Sequence, residues 1–162
     1  MNAPPHKLIS HLNNVSRNLR GQTALPYSRA SLGVAGALLR HGLISNVTLG
    51  TPTHPNPTEF HQLSPPAQRV WVNFKHRNGL PVMRRIKLVS KSSIRKFVSR
   101  EELGRILLGK ETRNIHGAGT GEVFVVKVPA DRSLNRKGAD IYMEGWEAYR
   151  AGLGGEVICR AS

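Results

Sequence analysis

Three glycines in four positions, Gly152, Gly154 and Gly155, followed at once by a lone carboxylate, Glu156, form the densest chemical signal in this 162-residue chain. Glycine permits positive φ, and it lets a second backbone or a flat ligand approach more closely than a Cβ would allow. Two readings stay open for this turn. One is a helix C-cap at Gly152 with a tight passage into a terminal strand. The other is a docking turn with Glu156 as its acceptor. A second run, Gly117-Ala118-Gly119-Thr120-Gly121, invites a phosphate-cradle reading. A dinucleotide-binding fingerprint, however, follows a strand and opens a helix. Here the glycines lead into Glu122-Val123-Phe124-Val125-Val126-Lys127-Val128, which reads as a strand, so that chemistry is set aside.

The remaining reactive side chains make no catalytic pattern. Seven histidines are scattered, with no His-x-x-x-His pair, and no nucleophile elbow is present. A divalent-metal nuclease needs clustered carboxylates, and there are only ten acidic residues, of which Asp131 and Asp140 lie in a basic stretch. The single cysteine, Cys159, excludes an internal disulfide framework and a cysteine zinc site. No catalytic residue, metal or cofactor is expected. A basic RNA-processing enzyme is the alternative class, for which RNA cleavage or modification should be lost on substituting Asp131 or Asp140. An RNA-binding protein that belongs to no larger particle is another, and a membrane-surface protein held by its first helix is a further one.

Charge decides between these classes. A formal net charge of +14 and an isoelectric point near 11.1 call for a polyanion: nucleic acid first, an anionic membrane second. No apolar run reaches transmembrane length. Residues 1–58 carry five Lys/Arg and no acid; residues 69–110 carry twelve against Glu101 and Glu102; residues 111–162 balance seven against seven. The middle of the chain therefore carries most of the field. The neutral tail holding the glycine turn suits shape-fitted contact.

The elements that must position these residues follow from periodicity and punctuation. Leu8, Leu12, Val15 and Leu19 fall on one stripe of a helix over 6–20, with Lys7, Asn14 and Arg17 elsewhere and Gly21 as its end. Leu25 and Pro26 form an extended piece. Ser28 is placed to N-cap a second helix through Leu32, Ala35, Leu38 and Leu39 to Gly42. Arg29 in its first turn opposes the helix dipole, which a bound anion would relieve, although an exposed Arg also costs little there. Leu43 to Leu49 reads as a strand, and residues 50–66, with five prolines, as an irregular loop. Arg69 to Lys75 alternates, with Val70, Val72 and Phe74 on one face. The other face, with Arg69 and Trp71, suits nucleic acid or packing under the proline loop.

Asn78-Gly79 predicts a tight hairpin, with Val82 to Val89 as the returning strand. Ser90 to Ser93 is a polar turn and Ile94 to Val98 a strand. Ser99-Arg100-Glu101-Glu102 is a capping box opening a helix with Leu103, Ile106 and Leu107, closed by Gly109. Pro129 to Asp140 reads as a polar loop, and Met143 to Arg150 as a short helix. Antiparallel hairpins with interspersed helices predict an α+β protein of two small packed subdomains, 1–82 and 83–162, divided near residue 82.

The ordered motifs resemble one family, the eighth protein of the small ribosomal subunit. Ala148 to Cys159 is similar to its Ala-Arg-x-x-Gly-x-Gly-Gly-Glu-Ile tail. Leu25-Pro26-Tyr27-Ser28-Arg29 resembles its Val-Pro-x-Ser-Lys, Gly42-Leu43-Ile44 its Gly-Phe-Ile, and Val89 to Arg95 its Ile-Ser-Lys-Pro-Gly-Leu-Arg. Asn14 falls where its first helix carries an Arg-Asn pair. The resemblance implies a non-enzymatic binder of the central domain of small-subunit rRNA, supporting assembly and translation beside neighbouring ribosomal proteins, with no membrane or small-molecule partner. It also implies an RNA surface of Asn14, Ser28, Arg29, Lys91, Arg95, Lys127, Gly154, Gly155 and Glu156, in which the Gly-Gly-Glu turn meets a shallow minor groove. Gly155→Val would then weaken specific RNA binding more than Lys91→Ala does, without unfolding the protein.

Two departures stand out. Where the family has Ser-Thr-Ser after a strand, this chain has Lys127-Val128-Pro129 and an insertion to about Tyr142. Residues 110–121 and the proline loop also exceed the bacterial pattern. Such insertions, with the acid-free, Arg-containing N-terminal segment beginning at Met1, point to a mitochondrial ribosome, with any targeting information retained in the chain. A bacterial or other organellar ribosome is the alternative.

Overall fold

The computed structural model describes residues 5–130 and 138–162 and has the expected α+β architecture. The first helix, α1 (Pro5–Arg17), buries Leu8, Ile9, Leu12 and Val15. Leu19, expected on the same stripe, is instead 55% exposed. The reason lies in how the helix stops. Leu19 adopts a φ of 55°, its N–H bonds the Ser16 carbonyl and the Arg20 N–H bonds that of Val15, a Schellman closure with leucine at the left-handed position. The helices α2 (Arg29–Arg40), α4 (Arg100–Leu107) and α5 (Gly145–Arg150) close in the same way on Gly42, Gly109 and Gly152, with φ of 73°, 81° and 75°. Gly152 is therefore a helix terminator. Leu19→Gly should remove a left-handed leucine and raise stability by about 1 kcal/mol in chemical denaturation.

Strand β3 (Arg69–Phe74) lies between β1 (Gln22–Pro26) and β2 (Ile44–Gly50) in an antiparallel sheet. Val70, Val72 and Phe74 point inward as the alternation predicts. Trp71 Nε1 donates to the Thr51 carbonyl at 2.9 Å, so the tryptophan is tied to the proline loop. That loop is more ordered than expected. Asn56 caps the short helix α3 (Pro57–Phe60), which buries Phe60 against the ring of Tyr27. On α2, Ala35 and Leu38 are buried, whereas Leu32 and Leu39 are exposed and Ser31, Val34 and Ala37 are buried in their place.

The hairpin of β4 (His76–Arg77) and β5 (Leu80–Pro81) turns on Asn78 and Gly79, both with positive φ as Asn-Gly dictates. The expected continuous return from Val82 to Val89 is broken. Only β6 (Ile86–Leu88) is strand, and it belongs to a different sheet. Ile94 is not in a strand either; β7 is confined to Phe97–Val98. The second sheet runs β6-β10-β8-β9, formed by β8 (Val123–Val128), β9 (Ile141–Glu144) and β10 (Gly155–Ala161), with β7 also on β10. Strand β9 takes Met143, the expected first residue of a helix, and α5 starts only at Gly145. Glu144 explains the boundary: its carboxylate accepts the Trp146 N–H at 2.8 Å while Glu147 caps in return. Most of the polar loop expected over 129–140, including Arg132, Arg136 and Lys137, lies outside the described residues.

One hydrophobic cluster joins α1, α2 and the first sheet to Ile86, Val125 and Cys159 of the second. A separate cluster packs α4 and α5 under Phe124, Val126 and Val157. Cys159 is wholly buried, and burial pushes its thiol up to about 12. The native protein should resist thiol alkylation at neutral pH and become reactive only on unfolding, as mass spectrometry after pulse labelling would report.

Candidate RNA interface

A broad cleft of about 1280 Å³ opens where the start of α2, the turn before β7 and the ends of β8 and β10 meet. Six of the nine sequence-predicted residues line it: Ser28, Arg29, Lys91, Arg95, Lys127 and Glu156. Lys7 and Arg69 add to its charge, so six cations face two carboxylates, Asp140 and Glu156. Such an excess suits a polyanion whose counterions are released on binding.

Each side chain reaches the cleft for a local reason. Ser28 is 5% exposed; its hydroxyl accepts the Ser31 N–H at 3.0 Å, so it serves the helix cap and leaves Arg29, one residue on, exposed at the cleft. Ser90, also buried, accepts the Lys96 N–H at 2.9 Å, while Lys91 and Ile94 exchange backbone hydrogen bonds of 2.9 and 3.1 Å. This closed turn projects Lys91 and Arg95. Among the described residues Lys7, Arg29, Lys91 and Arg95 have no ion-pair partner. Lys127 does: its Nζ lies 3.2 Å from the Asp140 carboxylate, whose proton affinity is lowered first by that hydrogen bond and then by the Ala130 N–H. Arg69 donates to the carbonyls of Pro66 and Gln68. Lys7, Arg29, Lys91 and Arg95 are also the exposed cations of the cleft, whereas Arg69 and Lys127 are partly buried.

Glu156 forms the inner wall. It is 9% exposed and sits in β10 opposite Phe97 on one side and Lys127 on the other. A register shift between Val157 and Cys159 follows it, and the Ile158 carbonyl accepts the Val89 N–H at 2.9 Å, which docks the cationic turn beside the strand. Tyr27 and Tyr142 supply aromatic wall, and Tyr142 lies against α2 where a Cβ on Gly33 would come within 2.4 Å of its ring.

Three predicted residues are not in the cleft lining. Asn14 is exposed on α1, and its neighbour Asn13 makes the long-range contact, accepting the Ile86 N–H at 3.2 Å. Gly154 and Gly155 are fixed by internal packing. A Cβ on Gly154 would meet the Val98 carbonyl oxygen at 2.5 Å, and one on Gly155 the Lys127 carbonyl oxygen at 2.3 Å. Gly155 is buried, so the expectation that Gly155→Val would spare the fold is overturned. The residues that sequence reasoning missed are Lys7, Arg69, Tyr27 and Tyr142 as lining and Ser90 as positioner. Only Arg69 carried a signal, through its place on the outward face of β3.

No family model matches the chain. It is, however, 33% identical over 161 residues to the small ribosomal subunit protein uS8m of Neurospora crassa, covering 94% of each protein. The chain belongs to the uS8 family. It is also 27% identical to uS8m of Schizosaccharomyces pombe over 96% of this chain and 97% of that protein. The bacterial uS8 of a Synechococcus species is 24% identical, with 98% of this chain and 96% of that protein covered.

The glycine-rich loop of this uS8 chain is clamped from within. Arg160 donates to Glu122 and to the carbonyls of His116 and Gly117, at 3.3 and 3.0 Å for the last two, and its guanidinium lies 4.9 Å from the Phe124 ring centre. A Cβ on Gly117 would come within 2.3 Å of the Gly109 backbone, so this run is packed and not an open cradle. The Arg160 hydrogen bond lowers the proton affinity of Glu122 despite the opposing effect of burial, with help from the Gly119 N–H. A depressed carboxylate stabilises the fold above its unfolded value, roughly pH 4.3, and loses that stabilisation as pH falls through the lower folded value. Glu122→Gln should therefore flatten the loss of melting temperature below about pH 4.3. Arg160→Ala should destabilise at neutral pH by about 2–3 kcal/mol.

Among the described residues no three His, Cys, Asp or Glu side chains gather to hold a metal, and no helix is long and apolar enough to cross a membrane.

Proposed function

We propose that this protein is a structural, non-enzymatic component of the mitochondrial small ribosomal subunit, binding the central domain of small-subunit rRNA and supporting assembly. The observation that carries this reading is the cleft, in which Arg29 from the start of α2, Lys91 and Arg95 from the turn before β7, and Glu156 from β10 converge. Family membership supplies the ribosomal context, and the fungal mitochondrial relatives favour the mitochondrial member. The four exposed cations hold phosphates. The Glu156 carboxylate accepts a hydrogen bond from a ribose 2′-hydroxyl, a group that distinguishes RNA from DNA. Tyr27 and Tyr142 line the same cleft and give a base or ribose an apolar face. Lys127, already paired with Asp140, orders the wall instead of contacting phosphate. Gly154 and Gly155 act indirectly, by bringing β10 against β7 and β8 so that Glu156 reaches the cleft.

Sedimentation of a mitochondrial lysate tests the assignment. The protein should travel with the small subunit and shift to the top of the gradient after ribonuclease treatment. Migration as a free protein in untreated lysate would refute it. The division we propose near residue 82 makes two packed subdomains; hydrogen exchange should give 1–82 and 83–162 distinct opening free energies, whereas one common opening would argue against the boundary.

A further inference from the structure

The broad cleft lies on a seam. Tyr27, Arg29 and Arg69 reach it from the first half of the chain, and Lys91, Lys127 and Glu156 from the second. Its shape therefore depends on how the two halves are held together. Helix α2 crosses the seam, running along β9 and meeting it at three levels. At the start of α2, Arg29 adds its field to the Lys127 and Ala130 hydrogen bonds that lower the proton affinity of Asp140, the residue before β9. In the middle, Gly33 lies so close to Tyr142 that a Cβ would stand 2.4 Å from the ring.

At the end of α2, the Arg40 guanidinium grips Glu147 of α5 with two hydrogen bonds of 3.3 Å, Nε to one carboxylate oxygen and Nη2 to the other. Nη2 also reaches the Tyr142 carbonyl at 3.5 Å. His41 Nε2 lies 3.4 Å from the Glu147 carboxylate and 3.8 Å from that of Glu144, which is 2% exposed. The α2 dipole favours cations at this end. Burial works to raise the proton affinity of Glu147, but the hydrogen bonds from Arg40 and the Glu144 N–H leave it lowered. Together these side chains form an ionic latch between the two halves, and none of them lines the cleft. Arg29 and Arg40 are the first and last residues of α2, roughly 16 Å apart along a rigid rod. A shift at one end moves the other.

We propose that the latch positions Arg29 against Lys91, Arg95 and Glu156, so that Arg40 and Glu147 are positioning residues for the fit of the cleft to its RNA. The inference rests on the ribosomal reading above. Opening the latch leaves every exposed cation of the cleft in place, so general attraction to polyanions survives. What changes is the spacing between cations of the two halves. Phosphate contacts fix a protein's register on its RNA, so only a tract of matching shape senses that spacing.

The test uses the full chain carrying Arg40→Gln, Glu147→Gln or both. Glutamine at 147 removes the charge but keeps an oxygen for the Glu144 N–H. The paired side chains are partly exposed, so the melting temperature should stay close to the wild-type value. Affinity is measured for a transcript of the complete small-subunit rRNA and for an unrelated RNA of equal length. Each single variant should lower the preference for small-subunit rRNA about threefold, a size that an exposed ion pair can supply. The double variant should lose no more than either single one, because the two residues act through one contact. Binding to the unrelated RNA and the log–log salt slope should not change. An unchanged preference in the single variants, or additive losses in the double, would overturn the proposal. So would a shallower salt slope, which would make Arg40 itself a phosphate contact. A preference that falls only in step with melting temperature would also overturn it, in favour of a general structural role. If wild type shows no preference for small-subunit rRNA, the ribosomal reading fails instead, so the two failures are distinguishable.

Discussion

Gly155→Val should unfold the protein or leave it severely destabilised, by about 3 kcal/mol or more in urea denaturation. The added Cβ alone falls 2.3 Å from the Lys127 carbonyl oxygen, and two further methyl groups would follow it into a buried site between β10 and β8. The colliding group is backbone, already committed to a sheet, so relief requires the strands to separate. Total stabilities of small domains are only about 5–15 kcal/mol, so a loss of this size removes a large share. Gly21→Ala provides the contrast: nothing lies within 4 Å of its Cβ position, and it should be close to neutral. Equal effects of the two substitutions would contradict the packing account of the glycine turn.

The second large effect concerns charge. Replacing Arg29, Lys91 and Arg95 by glutamine should weaken binding to small-subunit rRNA on the order of 100-fold at physiological salt. It should leave the melting temperature unchanged, because these side chains are exposed and none is paired among the described residues. With the four exposed cations of the large cleft engaged, its contribution to the wild-type log–log salt slope is roughly −3 to −4, and the triple variant should lose about three of those units. Lys127→Gln should behave differently, because it strands Asp140 without removing an unpaired cation. Its main effect is on the local order of β8 and β9, and its slope should stay near the wild-type value.

The sequence carried much of this architecture because its strongest signals are local. Ser28, Ser99 and Asn78-Gly79 act within a few residues of themselves, and each forms the cap or turn that its chemistry requires. Gly152 is equally local and proves to be a helix end. What failed depends on tertiary partners. The run from Val82 to Val89 is apolar enough for one strand, but only Ile86–Leu88 forms one, in a different sheet from the β4–β5 hairpin that precedes it. Leu19 kept the period of α1 while a left-handed turn removed it from the core. Strand β9 was hidden because Met143 and Glu144 suit a helix start as well as a strand end.

The candidate site was legible to a similar degree, for the same reason. The family resemblance marked Arg29, Lys91, Arg95 and Glu156, and the fold brings them to one cleft. Type alone could not separate Lys127, neutralised by Asp140 across a hairpin, from the unpaired cations. Nor could it reveal that Gly155 faces the Lys127 backbone, since close approach to a ligand and close approach to a neighbouring strand demand the same residue. Tyr142 became visible only through Gly33, more than a hundred positions earlier in the chain.

The central claim, that the large cleft lies against small-subunit rRNA, is tested most directly by tethered cleavage. Ser92 is exposed and lines the cleft, and the buried thiol of Cys159 does not compete for reagent. An iron chelate attached to Ser92→Cys in assembled small subunits should cut the small-subunit rRNA in one or two compact tracts. Those cuts should weaken when Arg29, Lys91 and Arg95 are replaced. Assembled subunits in which the tethered iron leaves the rRNA uncut would contradict the account.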